Sequence, residues 1–171
     1  MKFAVISDVH DNLANLSKAL NYCKKNKIRT LFCCGDLATF DTLLFLRDNF
    51  EGKIYFVFGN IDDDHLKNET QMKNFRENNK NIKIFEEIGE MKIDGLKVAI
   101  THFPETAKKL FAEDKYDLIF FGHTHRPYIR EKGEAKMINP GTTGGVFYQP
   151  TFAVFDTDKN AADLILLNEL K

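Results

Sequence analysis

The sequence predicts an α/β fold in a single domain that spans residues 1–171. Three short apolar runs near the N-terminus, KFAVIS, TLFCC and KIYFVF, alternate with segments of helical periodicity. This alternation indicates right-handed crossovers between parallel strands. No linker or low-complexity tract divides the chain, and its length is enough to bury a sizeable core.

The first half of the chain predicts three strands and three helices. Lys2–Ser7 suits a strand that is buried on both faces of a parallel sheet. Asp11 can cap the next helix, which extends to about Lys25. The apolar residues of this helix recur near the helical period: Leu13, Leu16, Leu20 and Cys23. TLFCC and KIYFVF are the next strands, TFDTLLFLRDNF is the helix between them, and a polar helix is expected over residues 64–78.

The second half is richer in strands and hairpins. IKIFEE, EMKID and LKVAI are close-spaced strand candidates, with the strong hairpin turn Asp94–Gly95 between the last two. A helix around Glu105–Glu113 and the strand YDLIFF follow. Four further strands are expected: PYIRE, AKMIN, TFAVFD and DLILLN.

The composition is that of an ordinary soluble protein, with 43% apolar and 29% charged residues. A formal net charge of −1 argues against broad electrostatic binding to nucleic acid or to an anionic membrane. No apolar run approaches the roughly 20 residues that span a bilayer, and MKFAVISDVH becomes acidic too early for a signal peptide. We therefore expect a cytoplasmic protein without a membrane or stable nucleic-acid partner. Its cysteines, Cys23, Cys33 and Cys34, are expected to pack as small apolar residues.

Five predicted strands are each followed by a polar cluster. These clusters contain the sequences SDVHDN, CGDLA, FGNIDDD, THF and FGHTHRP. In parallel α/β sheets, ligands bind in the crevice outside the carboxyl ends of the strands. The polar side chains are therefore expected to converge at one edge of the fold.

The residue types in these clusters are those of a metal site. Asp8 and His10 are two positions apart, as are His123 and His125, and in extended backbone this spacing places both side chains on one side. Three further candidates follow other strands: Asp36, Asn60 and His102. Seven nitrogen and oxygen ligands without a thiolate suit Mn, Fe, Ni, Co or Zn, and they exceed the needs of one tetrahedral ion. The sequence therefore predicts two ions.

The series D-x-H, GD, GN, H and GHxH, in this order and at strand ends, resembles the calcineurin-like metallophosphoesterase superfamily. The short chain, the GN that is not followed by histidine, and the late sequence Asn139–Thr142, NPGT, are most similar to the small prokaryotic YfcE-like phosphodiesterases. The resemblance extends by motif from Phe3 to Thr142. It implies a layered sandwich of two mixed β-sheets flanked by helices.

The resemblance also implies how the ligands divide between two divalent transition-metal ions, with Mn²⁺ favoured over Ni²⁺, Co²⁺, Fe²⁺ or Zn²⁺. One ion is assigned to Asp8, His10 and His125. The other is assigned to Asn60, His102 and His123. Asp36 would bridge the two ions, and Asp36, Asn60 and His123 are expected to serve in catalysis. In the implied mechanism, a hydroxide shared by the ions attacks phosphorus in line, without a covalent enzyme intermediate.

Two departures limit what the resemblance implies about the substrate. Ile61 occupies the place where the wider superfamily usually has a histidine that is thought to help protonate the leaving group. Phe103 follows His102, where relatives commonly carry glycine and often a second histidine. Substrate preference therefore cannot be carried over from the family. Asp62 is expected to orient the loop that carries Asn60.

The expected function is hydrolysis of a small phosphodiester substrate. A phosphomonoesterase and a non-catalytic scaffold, like the retromer subunit of the same fold, are the alternatives, and a homodimer remains open. The chain keeps all seven ligands, which favours an enzyme. DVHD lacks the DxD nucleophile motif of haloacid-dehalogenase-type phosphatases, and SDVHDN has none of the glycines of a dinucleotide-binding turn.

Overall fold

The computed structural model of the chain describes residues 1–66 and 68–170. The strands, in chain order, are β1 (Lys2–Ile6), β2 (Thr30–Cys33), β3 (Lys53–Val57), β4 (Ile82–Phe85), β5 (Ile88–Ile93), β6 (Leu96–Thr101), β7 (Leu118–Phe120), β8 (Tyr128–Lys132), β9 (Ala135–Asn139), β10 (Thr151–Asp156) and β11 (Ala161–Leu166). The helices are α1 (Leu13–Lys25), α2 (Phe40–Asn49), α3 (Asn60–His65), α4 (Glu69–Asn78) and α5 (Pro104–Ala112).

The strands form two mixed sheets. The first sheet has the order β11-β10-β1-β2-β3-β4, in which β1 to β4 are parallel and β10 and β11 are antiparallel additions. The second sheet has the order β5-β6-β7-β9-β8, in which β6, β7 and β9 are parallel. The predicted α/β fold with two mixed sheets flanked by helices is confirmed. Strand β1 is also antiparallel to β10, so its sheet is mixed rather than purely parallel.

Alternating residues of the buried strands serve two different cores. In β1, Phe3 and Val5 face a core between the two sheets, whereas Ala4 and Ile6 face a core under α1 and α2. All four are fully buried, which explains why the strand is an unbroken apolar run. A third core packs α5 against the outer face of the second sheet. The sheets are therefore the two inner layers of the predicted sandwich.

Two details at the first helix differ from the sequence prediction. The N-cap of α1 is Asn12, whose side chain accepts a hydrogen bond at 3.1 Å from the N–H of the third helical residue. Asp11 instead accepts hydrogen bonds from Thr39 and from the hydroxyl of Thr42, at the start of α2. Leu13, assigned to the apolar face, is 39% exposed. The prediction of Asp11 as the cap was wrong because its partners are distant in the sequence.

The helix predicted over residues 64–78 is divided into two. Helix α3 begins earlier, at Asn60, and α4 begins at Glu69. The side chain of Asn68 caps α4 by accepting from the N–H of Gln71 at 3.1 Å. Lys67, between the helices, lies outside the described residues. The early start of α3 places Asn60 in the first turn of a helix, directly after β3.

The carboxyl ends of β1, β2, β3, β6 and β7 lie at one edge of the sandwich. Backbone hydrogen bonds join neighbouring strand ends within each sheet, from Asp8 N to Gly35 O at 3.0 Å and from Gly122 N to His102 O at 3.0 Å. The predicted convergence is confirmed, although the loops come from two facing sheets and not from one. In the described part of the chain, no helix is both long enough and apolar enough to cross a bilayer.

Phe32 is expected to be a main stabilising contact between the sheets. Its fully buried ring lies 5.5 Å from Phe3, 5.3 Å from Tyr55 and 5.0 Å from Phe120, between ring centroids. Phe32→Ala should lower the free energy of unfolding by about 3–5 kcal/mol, because it leaves a cavity there. Urea denaturation measures this loss. Ile129→Ala, on the exposed edge strand β8, is the control, and an equal loss in both variants would contradict the assignment.

Candidate metal centre

The loops that carry the predicted ligands are not extended. Five of the seven candidate residues have φ angles between 47° and 69°, in the left-handed region: Asp8, His10, Asp36, His123 and His125. Residues other than glycine rarely adopt this conformation, and it is concentrated at functional sites. The paired side chains do converge, but the predicted reason, alternation along extended backbone, was wrong.

The left-handed loops are held by hydrogen bonds between strand ends. The carbonyl oxygen of Asp36 accepts from Val9 N at 2.8 Å and from His10 N at 3.0 Å, which locks the loop after β1 onto the loop after β2. The loops also approach one another so closely that the GN and GH motifs require glycine. A Cβ at Gly59 would lie 2.1 Å from Asp36 Oδ1, and one at Gly122 would lie 1.9 Å from the hydroxyl of Ser7.

Asp8, His10 and His125 form the first ligand group. The Nε2 atoms of the two histidines lie 3.3 Å apart, and His125 Nε2 lies 3.2 Å from Asp8 Oδ1. Asp8 is fully buried and His125 is 7% exposed. One potential ligand atom from each of the three residues lies within 4.8 Å of the others. The first group can therefore hold one metal ion.

Asn60, His102 and His123 form the second ligand group. Asn60 Oδ1 lies 3.1 Å from His102 Nε2 and 3.0 Å from His123 Nδ1, and these two nitrogens are 3.2 Å apart. His102 is fully buried, whereas His123 is exposed. All three ligand atoms therefore face one point, as in the first group.

Asp36 lies between the two groups. Its Oδ2 atom is 3.9 Å from His10 Nε2 in the first group and 3.5 Å from His102 Nε2 in the second. Its other oxygen, Oδ1, accepts a hydrogen bond from Ile61 N at 3.0 Å. The side chain is almost completely buried. One carboxylate oxygen of Asp36 is therefore within reach of both groups.

The protonation of two histidines favours a cation at the centre. His102 Nδ1 lies 2.7 Å from Cys34 O, and His125 Nδ1 lies 3.0 Å from Val146 O. A carbonyl can only accept, so each Nδ1 carries a proton, and in the neutral imidazole each Nε2 presents a lone pair. The lone pair of His125 then faces an oxygen of Asp8, and this contact raises the pKa of His125 above its usual value. Two acceptors in contact need a positive charge between them, which a proton or a metal ion supplies.

Asp62 ties the second and third loops together, in agreement with its predicted orienting role. Its fully buried carboxylate accepts from the N–H groups of Asp36 at 2.6 Å, Ala38 at 3.0 Å and Gly59 at 2.8 Å. Burial raises the pKa of Asp62 to about 6, although the three N–H donors lower it. The carboxylate therefore positions Asp36 and the residue before Asn60 at the same time.

The late NPGT sequence braces the first and fifth loops. Asn139 Nδ2 donates to Gly122 O at 2.8 Å, and the hydroxyl of Thr142 donates to Asp8 O at 3.0 Å. Sequence reasoning missed Phe147 in the loop that follows, although its ring centroid lies 5.4 Å from that of His125. The sequence signal was the apolar and aromatic triplet Val146–Tyr148 directly after two glycines, in the stretch TTGGVFYQP.

The fold and the ligand groups define the class of protein. The family model of the calcineurin-like phosphoesterase superfamily domain matches residues 1–160, so the chain belongs to that family. The Escherichia coli phosphoesterase YfcE shares the fold, with a TM-score of 0.71 and 20% identity over 100% of this chain and 96% of that one. Membership makes the chain a phosphoesterase, a hydrolase of phosphate esters.

Among individual relatives, the chain is similar to phosphodiesterase MJ0936 of Methanocaldococcus jannaschii. The two are 30% identical over 98% of this chain and 99% of the relative. A solved archaeal phosphodiesterase matches with a TM-score of 0.86 and 28% identity over 97% of this chain and 99% of that one. Vps29 of Entamoeba histolytica in complex with Zn²⁺ shares the fold, with a TM-score of 0.66 and 17% identity over 98% of this chain and 100% of that one.

We expect Asp62→Asn to destabilise the protein. An amide keeps the volume but turns an NH₂ group toward backbone donors, so the free energy of unfolding should fall by about 1–3 kcal/mol. Thermal and urea unfolding measure the change. Asp163→Asn, on exposed strand β11, is the matched control and should change stability by less than about 0.5 kcal/mol. Equal stability of the two variants would show that Asp62 does not hold the loops.

Proposed function

We propose that the protein is a phosphodiesterase with a dinuclear metal centre formed by the two ligand groups and Asp36. The observation that carries the proposal is the convergence of seven candidate ligands, in which Asp36 Oδ2 lies 3.9 Å from His10 Nε2 of the first group and 3.5 Å from His102 Nε2 of the second. Phosphodiester specificity is supported by the relative that matches over nearly the full length of both chains. Two divalent ions, when bound, would supply Lewis-acid charge and lower the pKa of a water molecule that they share.

The seven residues would leave half of that cationic charge uncancelled. The first group and Asp36 contribute two carboxylates, whereas Asn60 and the four histidines are neutral ligands. A net positive centre attracts the phosphate anion and stabilises the charge that develops on its oxygens. Replacing Asn60 by aspartate would add a negative charge next to His102 and His123, so a neutral oxygen is the better choice there.

Ile61 positions a ligand but cannot transfer a proton. Its backbone N–H holds Asp36 Oδ1 at 3.0 Å, while its side chain has no titratable group. Protonation of the leaving oxygen must come from elsewhere, or the substrate must have a leaving group that departs without it. The second explanation favours esters of relatively acidic alcohols or phenols.

A non-catalytic scaffold is the second candidate, because Vps29 proteins share the fold. Intact ligand groups favour the enzyme, since an interaction surface would not require two pairs of histidines with ring nitrogens 3.2–3.3 Å apart. Phosphomonoester hydrolysis by the same centre remains an alternative. The preference for Mn²⁺, the small phosphoester substrate, the cytoplasmic location and a homodimer stay predictions.

The proposed activity predicts that Asp36→Ala will abolish turnover. The substrates are generic aryl phosphodiesters, phosphomonoesters, and 2′,3′- and 3′,5′-cyclic nucleotides, each assayed with Mn²⁺, Ni²⁺, Co²⁺ or Zn²⁺. Loss of the shared carboxylate should reduce kcat/KM for diesters by at least about a thousandfold. Asp41→Ala, on the exposed surface of α2, should leave it unchanged. Absence of turnover with every metal, together with identical behaviour of Asp36→Ala and wild type, would refute the proposal.

The division into two groups predicts that His123→Ala and His125→Ala weaken different metal sites. Each variant should retain about one tightly bound ion per chain, measured by calorimetric titration and elemental analysis. A double variant within one group, His10→Ala with His125→Ala, should still bind one ion. A double variant across the groups, His123→Ala with His125→Ala, should bind neither tightly. If both double variants lose the same number of ions, the division is wrong.

A further inference from the structure

Phe147 presents an aromatic ring to solvent beside the first ligand group. Its side chain is 88% exposed, and its ring is tilted by 45° against that of His125, with 5.4 Å between centroids. Large aromatic residues are normally buried, as Phe3, Phe32 and Phe120 are here. The free face of this ring is therefore available to a bound molecule whose phosphate lies at the histidines.

The residues that precede Phe147 fix its loop to the site. Val146 O accepts the hydrogen bond from His125 Nδ1, and Gly144 N donates to Asp8 O at 2.9 Å. Gly144 O also accepts from Asn12 Nδ2 at 2.8 Å. Phe147 itself has a φ angle of 64°, a conformation that a bulky residue rarely adopts. The backbone is therefore in an unfavourable conformation at the residue that carries the exposed ring.

A second ring lies beside the other ligand group. The ring centroid of Phe103 is 5.3 Å from that of His123 and 5.0 Å from that of His102. Phe103 is partly buried, so Phe147 is the more exposed of the two rings. A phosphodiester carries an organic group on each side of its phosphate. Apolar planar side chains on both flanks of the histidines match that chemistry better than they match a bare phosphate ion.

We propose that Phe147 determines specificity by stacking on a planar aromatic group of the substrate, such as a nucleobase. The inference rests on the proposed function, since it requires the substrate phosphate to lie at the two ligand groups. A phenyl ring has no hydrogen-bonding group, so it recognises the face of an aromatic system and not its edge. Such stacking tolerates every base. The substrate class is therefore a phosphodiester with an aromatic substituent, without selection among bases.

The test compares two ligands that differ only by a base, AMP and ribose 5-phosphate. Calorimetry measures their binding to the Mn²⁺-loaded protein, so the readout does not depend on turnover. The wild type should bind AMP about tenfold more tightly than ribose 5-phosphate, and Phe147→Ala should bind both equally. Phe147→Tyr keeps a planar ring and should keep the preference, whereas Phe147→Leu keeps apolar volume only and should lose most of it. Tyr128→Ala removes an exposed ring on β8 and is the matched control.

The outcomes separate this inference from the proposed function. Equal binding of the two ligands by the wild type, an unchanged preference in Phe147→Ala, or no binding of either ligand would overturn the stacking role. If the protein hydrolyses diesters but gives any of these results, the phosphodiesterase proposal is retained and the stacking subsite is rejected. If the protein hydrolyses no diester but prefers AMP in a way that depends on Phe147, the subsite is retained and the enzymatic proposal is rejected.

Discussion

The carbonyl oxygen of Cys34 joins the three strand ends on which the candidate centre depends. It accepts hydrogen bonds from the hydroxyl of Ser7 at 3.1 Å and from His102 Nδ1 at 2.7 Å, and so links β1, β2 and β6 across both sheets. The bond also fixes the tautomer of His102, whose Nε2 then faces Asn60 and Asp36. A Cβ at Gly122 would lie 2.8 Å from the same oxygen. The end of β7 can therefore approach Cys34 only because residue 122 has no side chain.

The left-handed loops are costly, and the surrounding structure offsets the cost. A non-glycine residue in that region is disfavoured by roughly 1–2 kcal/mol, and five candidate ligands adopt it. The offset comes from bonds that no single loop could make alone, such as those of the Asp62 carboxylate with Asp36, Ala38 and Gly59. The two sheets, which pack together through Phe32, hold the ends of these loops in place and so maintain the strained backbone. The fold therefore positions the candidate ligand atoms.

The sequence predicted the strands, because buried strands are continuous apolar runs, and the convergence of the site, because the ligand motifs follow the strand ends. The two mixed sheets were implied by the family resemblance and not by the apolar runs. It did not predict the backbone that brings the side chains together, since spacing alone does not determine φ at Asp8 or His125. The role of Asp11 was missed for a related reason, because its partner Thr42 lies 31 residues away. Phe147 was missed because the triplet Val146–Tyr148 is too short to show a periodicity from which the direction of its side chains can be inferred.

The exposure of His123 and Phe147 determines how such a centre could select a substrate. A phosphate at these histidines would lie near the protein surface, so most of its attraction to the site would be electrostatic and common to all phosphate esters. Electrostatic attraction of this kind does not distinguish one ester from another. Selection must then come from the few side chains beside the ligand groups. Phe103 and Phe147 are apolar and planar. They can therefore distinguish aromatic from aliphatic substituents, but they cannot distinguish one hydrogen-bonding pattern from another.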